Sequence, residues 1–216
     1  MVTLSFTIFS GQKNYNRAHM LFQVLCGFEP IFYTTHPNEE PIKGIKKMKQ
    51  TDNFKFDEAN IMNELVYRNL SEDEKRQICA WKYGGEYDLY NLPAYEEMQV
   101  RQIGFMNPKS EKNYYGFWDE SILVGFVNIL EEKEEVFIGI GVNPDLCNKH
   151  YGQRMLLITY EISKKLYPNK PLYLEVRTWN IRAVKCYQKA GFRIDGQAYE
   201  LTTGIGTGTF YRMIRE

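Results

Sequence analysis

Between residues 114 and 166 the chain changes its hydrophobic period once, and that change limits what it can fold into. Three strand-like runs, Tyr114 to Trp118, Ile122 to Leu130 and Val136 to Val142, precede one long amphipathic helix, roughly Gly152 to Leu166. The acidic turn Glu131 to Glu135 separates the last two runs, which predicts an antiparallel hairpin. In the helix, Met155, Ile158, Ile162 and Leu166 share a face, and Pro168 stops it. A strand, Leu172 to Arg177, comes next. A helix from Ile181 to Ala190 follows, with Asn180 as N-cap and Gly191 just past its end. Strands near Phe192 to Glu200 and Thr207 to Ile214 close the chain. Upstream, Glu64 to Arg68 reads as a strand. Ser71 with Glu74 forms a capping box that opens a helix to about Trp81. An aromatic loop, Tyr87 to Pro93, leads to a short helix, Ala94 to Arg101. The order predicts an α/β protein with one mixed sheet and helices on its faces.

Twenty-seven basic residues balance 27 acidic ones, so the net charge is zero. A broad electrostatic grip on nucleic acid or an anionic membrane is not supported, and any anion site has to be local. The cysteines Cys26, Cys79, Cys147 and Cys186 are scattered, as are the histidines His19, His36 and His150. That pattern fits a reducing compartment, with no disulfide framework and no metal. The apolar start, Met1 to Ser10, reads as a strand rather than a signal peptide, and no apolar run approaches the roughly 20 residues of a membrane span. The expectation is a soluble cytoplasmic protein.

Residues 1–50 echo the end of the chain. Asn16-Arg17-Ala18, Phe22 and Gly27-Phe28 stand in the order of Arg182-Ala183, Tyr187 and Gly191-Phe192. Either a partial internal repeat or two unrelated strand–helix–strand units accounts for this. The polar stretch 51–61 reads as a linker and 62–216 as the main domain.

Two segments carry candidate chemistry. In Val142 to Arg154 a strand runs through a loop into a helix. The free N–H groups of a helix start, together with the helix dipole, make an anion site there. Gly152 allows close backbone approach, and Lys149 and Arg154 add charge. A strand–loop–helix with one glycine also serves as a plain connection. In the second segment, strand alternation puts Leu172, Leu174 and Val176 on one face and Tyr173, Glu175 and Arg177 on the other. A carboxylate in such a strand needs a reason. A solvated edge or a pair with Arg177 would supply one, as would a functional role. Tyr187 on the following helix reads equally well as a core tyrosine.

Together these segments resemble the GNAT superfamily of N-acetyltransferases over about Glu64 to Arg215. The resemblance is carried by Asn180-x-x-Ala183, Tyr187 and Gly191-Phe192. The family's pyrophosphate loop, Arg/Gln-x-x-Gly-x-Gly/Ala, falls on Cys147 to Gly152. The last glycine matches, while Cys147 replaces the basic residue and His150 replaces the first glycine. A side chain at His150 crowds a phosphate or takes an unfavourable φ. Leu174-Glu175-Val176-Arg177 with Asn180 and Tyr187 looks like the enzymes that acetylate the N-terminal alanine of a ribosomal protein.

The resemblance implies a mostly antiparallel GNAT sheet splayed between its fourth and fifth strands. It implies acetyl-coenzyme A as cosubstrate, held by the backbone of Cys147, Asn148, Lys149, His150, Tyr151, Gly152 and Gln153. It further implies strand-edge contacts from Ile140 and Val142, and contacts from Asn180 and Tyr187. Glu175 is then the proton acceptor and Tyr187 the proton donor. The alternative base position, near Phe137, cannot serve, and Glu134 and Glu135 in the turn read as solvated. Trp81, Tyr87, Asp88 and Tyr90 would form an acidic and aromatic wall for a cationic amine, or simply pack.

The activity implied is acetyl transfer to a primary amine of a small molecule or a peptide N-terminus, by direct attack in a ternary complex. The altered loop keeps a second reading open, a module that binds acetyl-coenzyme A without catalysis. A nucleotide-binding α/β protein using the Lys149–Gly152 turn is a third, and the Asn180 to Phe192 motif argues against it. Residues 1–50, with Thr7 in place of a glutamate and no phosphate loop, are expected to be inactive. Docking in cis, homodimer formation and a remnant of a fused neighbour all stay open for them.

Overall fold

The computed structural model describes residues 65–216; the repeat-like segment 1–50 and the linker 51–61 lie outside the described residues. The chain runs β1 (Val66–Asn69), α1 (Glu72–Ala80), a 3-10 turn (Gly85–Tyr90), α2 (Tyr95–Arg101), β2 (Tyr114–Asp119), β3 (Ile122–Glu131) and β4 (Val136–Val142). It continues with α3 (Tyr151–Leu166), β5 (Leu172–Arg177), α4 (Ile181–Lys189), β6 (Arg193–Ile194), β7 (Tyr199–Thr203) and β8 (Gly206–Arg215).

The strands form one open sheet in the order β1-β2-β3-β4-β5-β8-β6, with β7 also on β8. Every pairing is antiparallel except β4 with β5, which is parallel. This is the mixed, mostly antiparallel architecture the sequence predicts. At the start of α1, Glu74 accepts the backbone N–H of Ser71 at 2.7 Å, the reach-back half of the expected capping box. Asn180 caps α4 by accepting the Ala183 N–H at 3.1 Å.

One expected element divides. In place of a single strand from Phe192 to Glu200, β6 and β7 share one edge of β8. Residues 195–198 bulge out opposite 211 and 212, with Gly196 at φ 78°. The two-stranded register cannot run through a residue in that region, so the edge breaks there.

Alternation sorts the sheet into two faces. Leu172, Leu174 and Val176 pack with Met155, Leu156 and Ile162 of α3 and Val184 of α4. On the opposite face, Ile78, Cys79 and Met98 from α1 and α2 cover Tyr114, Trp118 and Phe126. Beside them Phe137, Tyr173, Leu201 and Phe210 form a smaller cluster. Met155 and Leu156 are fully enclosed, and truncating either to alanine would cost about 2–5 kcal/mol. No helix among the described residues is long and apolar enough to cross a membrane. None of their His, Cys, Asp and Glu side chains gather in a group of three or more that could hold a metal.

Candidate active site

The parallel pair β4–β5 is short. Its register covers only Val136 with Leu172 and Phe137 with Tyr173, although both strands continue. Beyond that point they part, while β4 stays paired with β3 up to Val142, and β5 with β8 up to Arg177. A cavity of about 430 Å³ occupies the gap, and Ile138–Val142 and Leu174–Arg177 line its two sides.

Strand parity shows which backbone groups face it. Val136 N–H donates to Pro171 on the β5 side, and Asn143 N–H donates to Val124 on the β3 side. Ile138, Ile140 and Val142 therefore turn their backbone toward the gap. The hydroxyl of Tyr83 donates to the Val142 carbonyl at 2.7 Å, so of the two predicted edge residues Ile140 presents both its donor and its acceptor.

At one end of the gap α3 begins. Arg154 N–H is the first to bond within the helix, to His150 O at 3.1 Å. The N–H groups of Tyr151, Gly152 and Gln153 precede it, and no side chain caps them. The preceding loop reaches this position through two left-handed residues, Asn148 and His150, each at φ 65°. His150 thus takes the unfavourable φ anticipated for a side chain in a glycine position. Gly152 also has a packing reason. A Cβ there would lie 3.0 Å from Cys186 Sγ and 3.4 Å from Val142 Cγ2, so its missing side chain lets α3 pack against α4 and β4.

Of the predicted loop residues, Cys147, Asn148, His150, Tyr151, Gly152 and Gln153 line the cavity; Lys149 does not. Arg154 also turns away, bonding Asp119 beside Tyr151. The cations at this end come instead from α4: Arg182, Lys185 and Lys189 line the cavity. Their spacing of three and four puts them on one helical face, a signal legible in the sequence.

Glu175 and Tyr187 lie on the same cavity. Tyr199 of β7 donates its hydroxyl to the Glu175 carboxylate. Arg177 turns toward the carbonyls of Ile205, Gly206 and Thr207. Burial raises the Tyr187 phenol well above the ordinary tyrosine range, and the nearby Cys186, Tyr90 and Tyr83 push it in the same direction. It is therefore protonated at neutral pH. Burial also pushes the Cys186 thiol up to about 11. Asn180 spends its carbonyl oxygen on the α4 cap and points its amide N–H at Tyr90 Oη, 3.4 Å away.

One expectation needs correcting. Glu135 is not solvated, because Arg212 holds it; Glu134 does stay exposed beside Lys133. Of the two readings of the aromatic residues, packing accounts for most of their contacts. Tyr87 and Tyr90 lie against Trp179 with ring centroids 5.6 and 6.0 Å apart, and the Arg182 guanidinium covers the Tyr87 ring at 4.1 Å. Trp81 packs on Phe126 and, with Tyr90, reaches the cavity; Tyr87 and Asp88 do not. Tyr83 and Tyr199 are residues that the sequence reading misses.

The geometry can be set against known proteins. The family model described as "Acetyltransferase (GNAT) family" matches residues 75–192. No curated protein matches the sequence. The structure is similar to an acetyltransferase (GNAT family) from Bacillus anthracis at TM-score 0.58 and 17% identity, over 70% of this chain and 93% of that one. It is similar to spermidine N-acetyltransferase from Vibrio cholerae, crystallised with CoA and spermine, at TM-score 0.56 and 17% identity, over 70% and 94% of the two chains. It also resembles an aminoglycoside acetyltransferase in complex with coenzyme A, at TM-score 0.54 and 16% identity, over 70% and 94%. At such identities the likeness is one of fold.

Proposed function

The chain belongs to the acetyltransferase (GNAT) family, and from that premise we propose that it transfers an acetyl group from acetyl-coenzyme A to a primary amine by direct attack in a ternary complex. The observation that supports this most is the parting of β4 and β5 after Phe137 and Tyr173, with an uncapped helix start at one end of the gap and Glu175 and Tyr187 on its walls.

The residues present suit the cosubstrate. The N–H groups of Tyr151, Gly152 and Gln153 take its pyrophosphate, aided by the α3 dipole and the α4 cations. Ile140 offers a strand edge to an amide-bearing arm, and Asn180 adds a side-chain amide. Acetyl-coenzyme A supplies an acyl group activated as a thioester.

The protein's own groups then manage protons and charge. An aliphatic amine is mostly protonated at pH 7 and has to lose a proton before it can attack. Glu175 accepts that proton, directly or through water. Tyr199 holds the carboxylate by its hydroxyl and fixes its direction. A gap-facing N–H on β4 polarises the carbonyl under attack. Tyr187, kept protonated by its surroundings, donates to the departing thiolate. Loss of water from the apolar gap strengthens each of these interactions.

The test has two parts. Acetyl-coenzyme A should raise the thermal midpoint; at a hundred times its Kd the gain is about 2.7 kcal/mol. Thiol release across amino acids, peptides, polyamines and aminoglycosides should then reveal turnover. A thermal shift with no thiol release on any amine would favour the non-catalytic module. Absence of any shift would end the proposal.

A further inference from the structure

We infer that Arg177 binds an anionic group of the acceptor, so that the amine this protein acetylates carries a carboxylate a few bonds from its nitrogen. The inference rests on the function proposed above and names the substrate class for the same cavity.

Three cationic side chains are buried among the described residues: Lys75, Arg177 and Arg212. Two have their anions inside the fold. Lys75 pairs with Glu72 and Glu111, and Arg212 pairs with Glu135 and Asp195. Arg177 is 8% exposed and has no carboxylate partner among the described residues. It reaches only the carbonyls of Ile205, Gly206 and Thr207, at 3.2 to 3.5 Å, and its Nε has no hydrogen-bond partner there. A buried cation without an anion is costly, and the fold has evidently paired its other two.

The position is also built. A Cβ on Gly208 would come within 2.0 Å of Arg177 Nη1, so the absence of a side chain at 208 makes the berth for this guanidinium. The ring of Phe210 lies 5.0 Å from Arg177 Cζ and backs it. Arg177 lines the cavity, as do Ile205, Phe210 and Glu175.

Glu175 and Arg177 are alternate residues of β5, so they share a face with their Cα atoms roughly 7 Å apart. Both line the same cavity, so a carboxylate that takes an amine's proton and a guanidinium that takes a carboxylate open on one small-molecule site. Amino acids and short acidic peptides carry both groups, and an Arg–carboxylate pair is the strong, directional contact suited to a planar anion. A polyamine or an aminoglycoside would instead bring positive charge against Arg177.

The experiment is thiol release from acetyl-coenzyme A with the twenty common amino acids and with dipeptides ending in Asp or Glu. Each is matched with its carboxamide, and spermidine and kanamycin serve as cations. The expected result is that acids exceed their amides by about tenfold or more in kcat/KM. In Arg177→Gln the preference disappears, and on the acids the loss falls on KM more than on kcat. Gly208→Ala, which displaces the guanidinium without removing it, should weaken the same preference, and Arg177→Lys should restore part of it. Acids no better than amides, or a preference that survives Arg177→Gln in material that melts normally, would overturn the inference. So would turnover confined to spermidine or kanamycin, although that result leaves the acetyltransferase reading intact. No thermal shift with acetyl-coenzyme A would remove both.

Discussion

The two ends of the cleft are made differently. At the α3 end the groups on offer are main-chain N–H donors of Tyr151, Gly152 and Gln153, presented by a loop that needs two left-handed residues. Along the β5 wall and on α4 they are side chains: Glu175, Arg177 and Tyr187. A site made of backbone depends on φ and ψ, and tolerates a change of residue that preserves them. A site made of side chains depends on which atoms are there. This is why a loop that departs from the family pattern at Cys147 and His150 still forms an uncapped helix start, while no substitution for a carboxylate or a phenol would be neutral.

The sharpest way to break this contrast is at Tyr187. Tyr187→Phe should lower kcat by about 10²–10⁴-fold while moving the Kd for acetyl-coenzyme A by less than about threefold, since only the donating hydroxyl is removed and the ring stays. Calorimetry and steady-state kinetics on one preparation decide it. A Kd that rises as far as kcat falls would put Tyr187 in binding alone.

Glu175→Gln comes next, with an expected loss of about 10²-fold in turnover near neutrality. The variant should recover as pH rises toward the amine's own pKa, about 8 for a peptide N-terminus and about 10 for a side-chain amine, because the deprotonated amine then no longer needs the base. In the native protein the phenol of Tyr187 lies above the ordinary tyrosine range, so the donor survives the same rise in pH. A variant whose pH–rate profile runs parallel to that of the native protein would remove Glu175 from proton transfer.

The backbone end should respond in the opposite way. His150→Gly relieves a left-handed non-glycine residue, for which the strain is about 1–2 kcal/mol, partly offset by glycine's larger unfolded-state entropy. The expected gain is about 1 kcal/mol in urea unfolding, with the Kd for acetyl-coenzyme A unchanged within about twofold. A large loss of affinity would mean that the imidazole itself, rather than the turn, serves the site.

The same contrast governs what could be read from the sequence. Features carried by local pattern were legible: the α3 stripe of Met155, Ile158 and Ile162, the Asn180 cap, and the hairpin across Glu131 to Glu135. The parting of β4 and β5 came from family resemblance and not from periodicity, which says nothing about where a parallel pair ends. Contacts made across the sheet were hidden. Tyr199 reaches Glu175 because β5 and β7 flank β8, an adjacency that no local pattern encodes. Tyr83 reaches Val142 from 59 positions away. The break between β6 and β7 depends on a conformation at Gly196 that the residue allows but does not announce. The α4 cations were in plain view, yet the sequence reading gave their role to Lys149 and Arg154 because those lie beside the loop in sequence.

That last misplacement gives the smallest and most discriminating test. Lys149 is exposed and does not line the cavity, whereas Lys185 does. If proximity in sequence governed the phosphate site, Lys149→Ala would weaken acetyl-coenzyme A binding and Lys185→Ala would not. The structure predicts the reverse: Lys149→Ala within about twofold of the native Kd, and Lys185→Ala weaker by a few-fold, the range of a solvent-facing charge contact. Screening sharpens the comparison, because the Debye length falls from about 10 Å at 0.1 M salt to about 3 Å at 1 M. The Lys185→Ala deficit should therefore shrink with salt, while the binding that remains, held by backbone donors, should persist in both variants. A deficit at Lys149 of the same size and salt dependence would instead show that the loop's own charge contributes, and that the α3 end is not built from backbone alone.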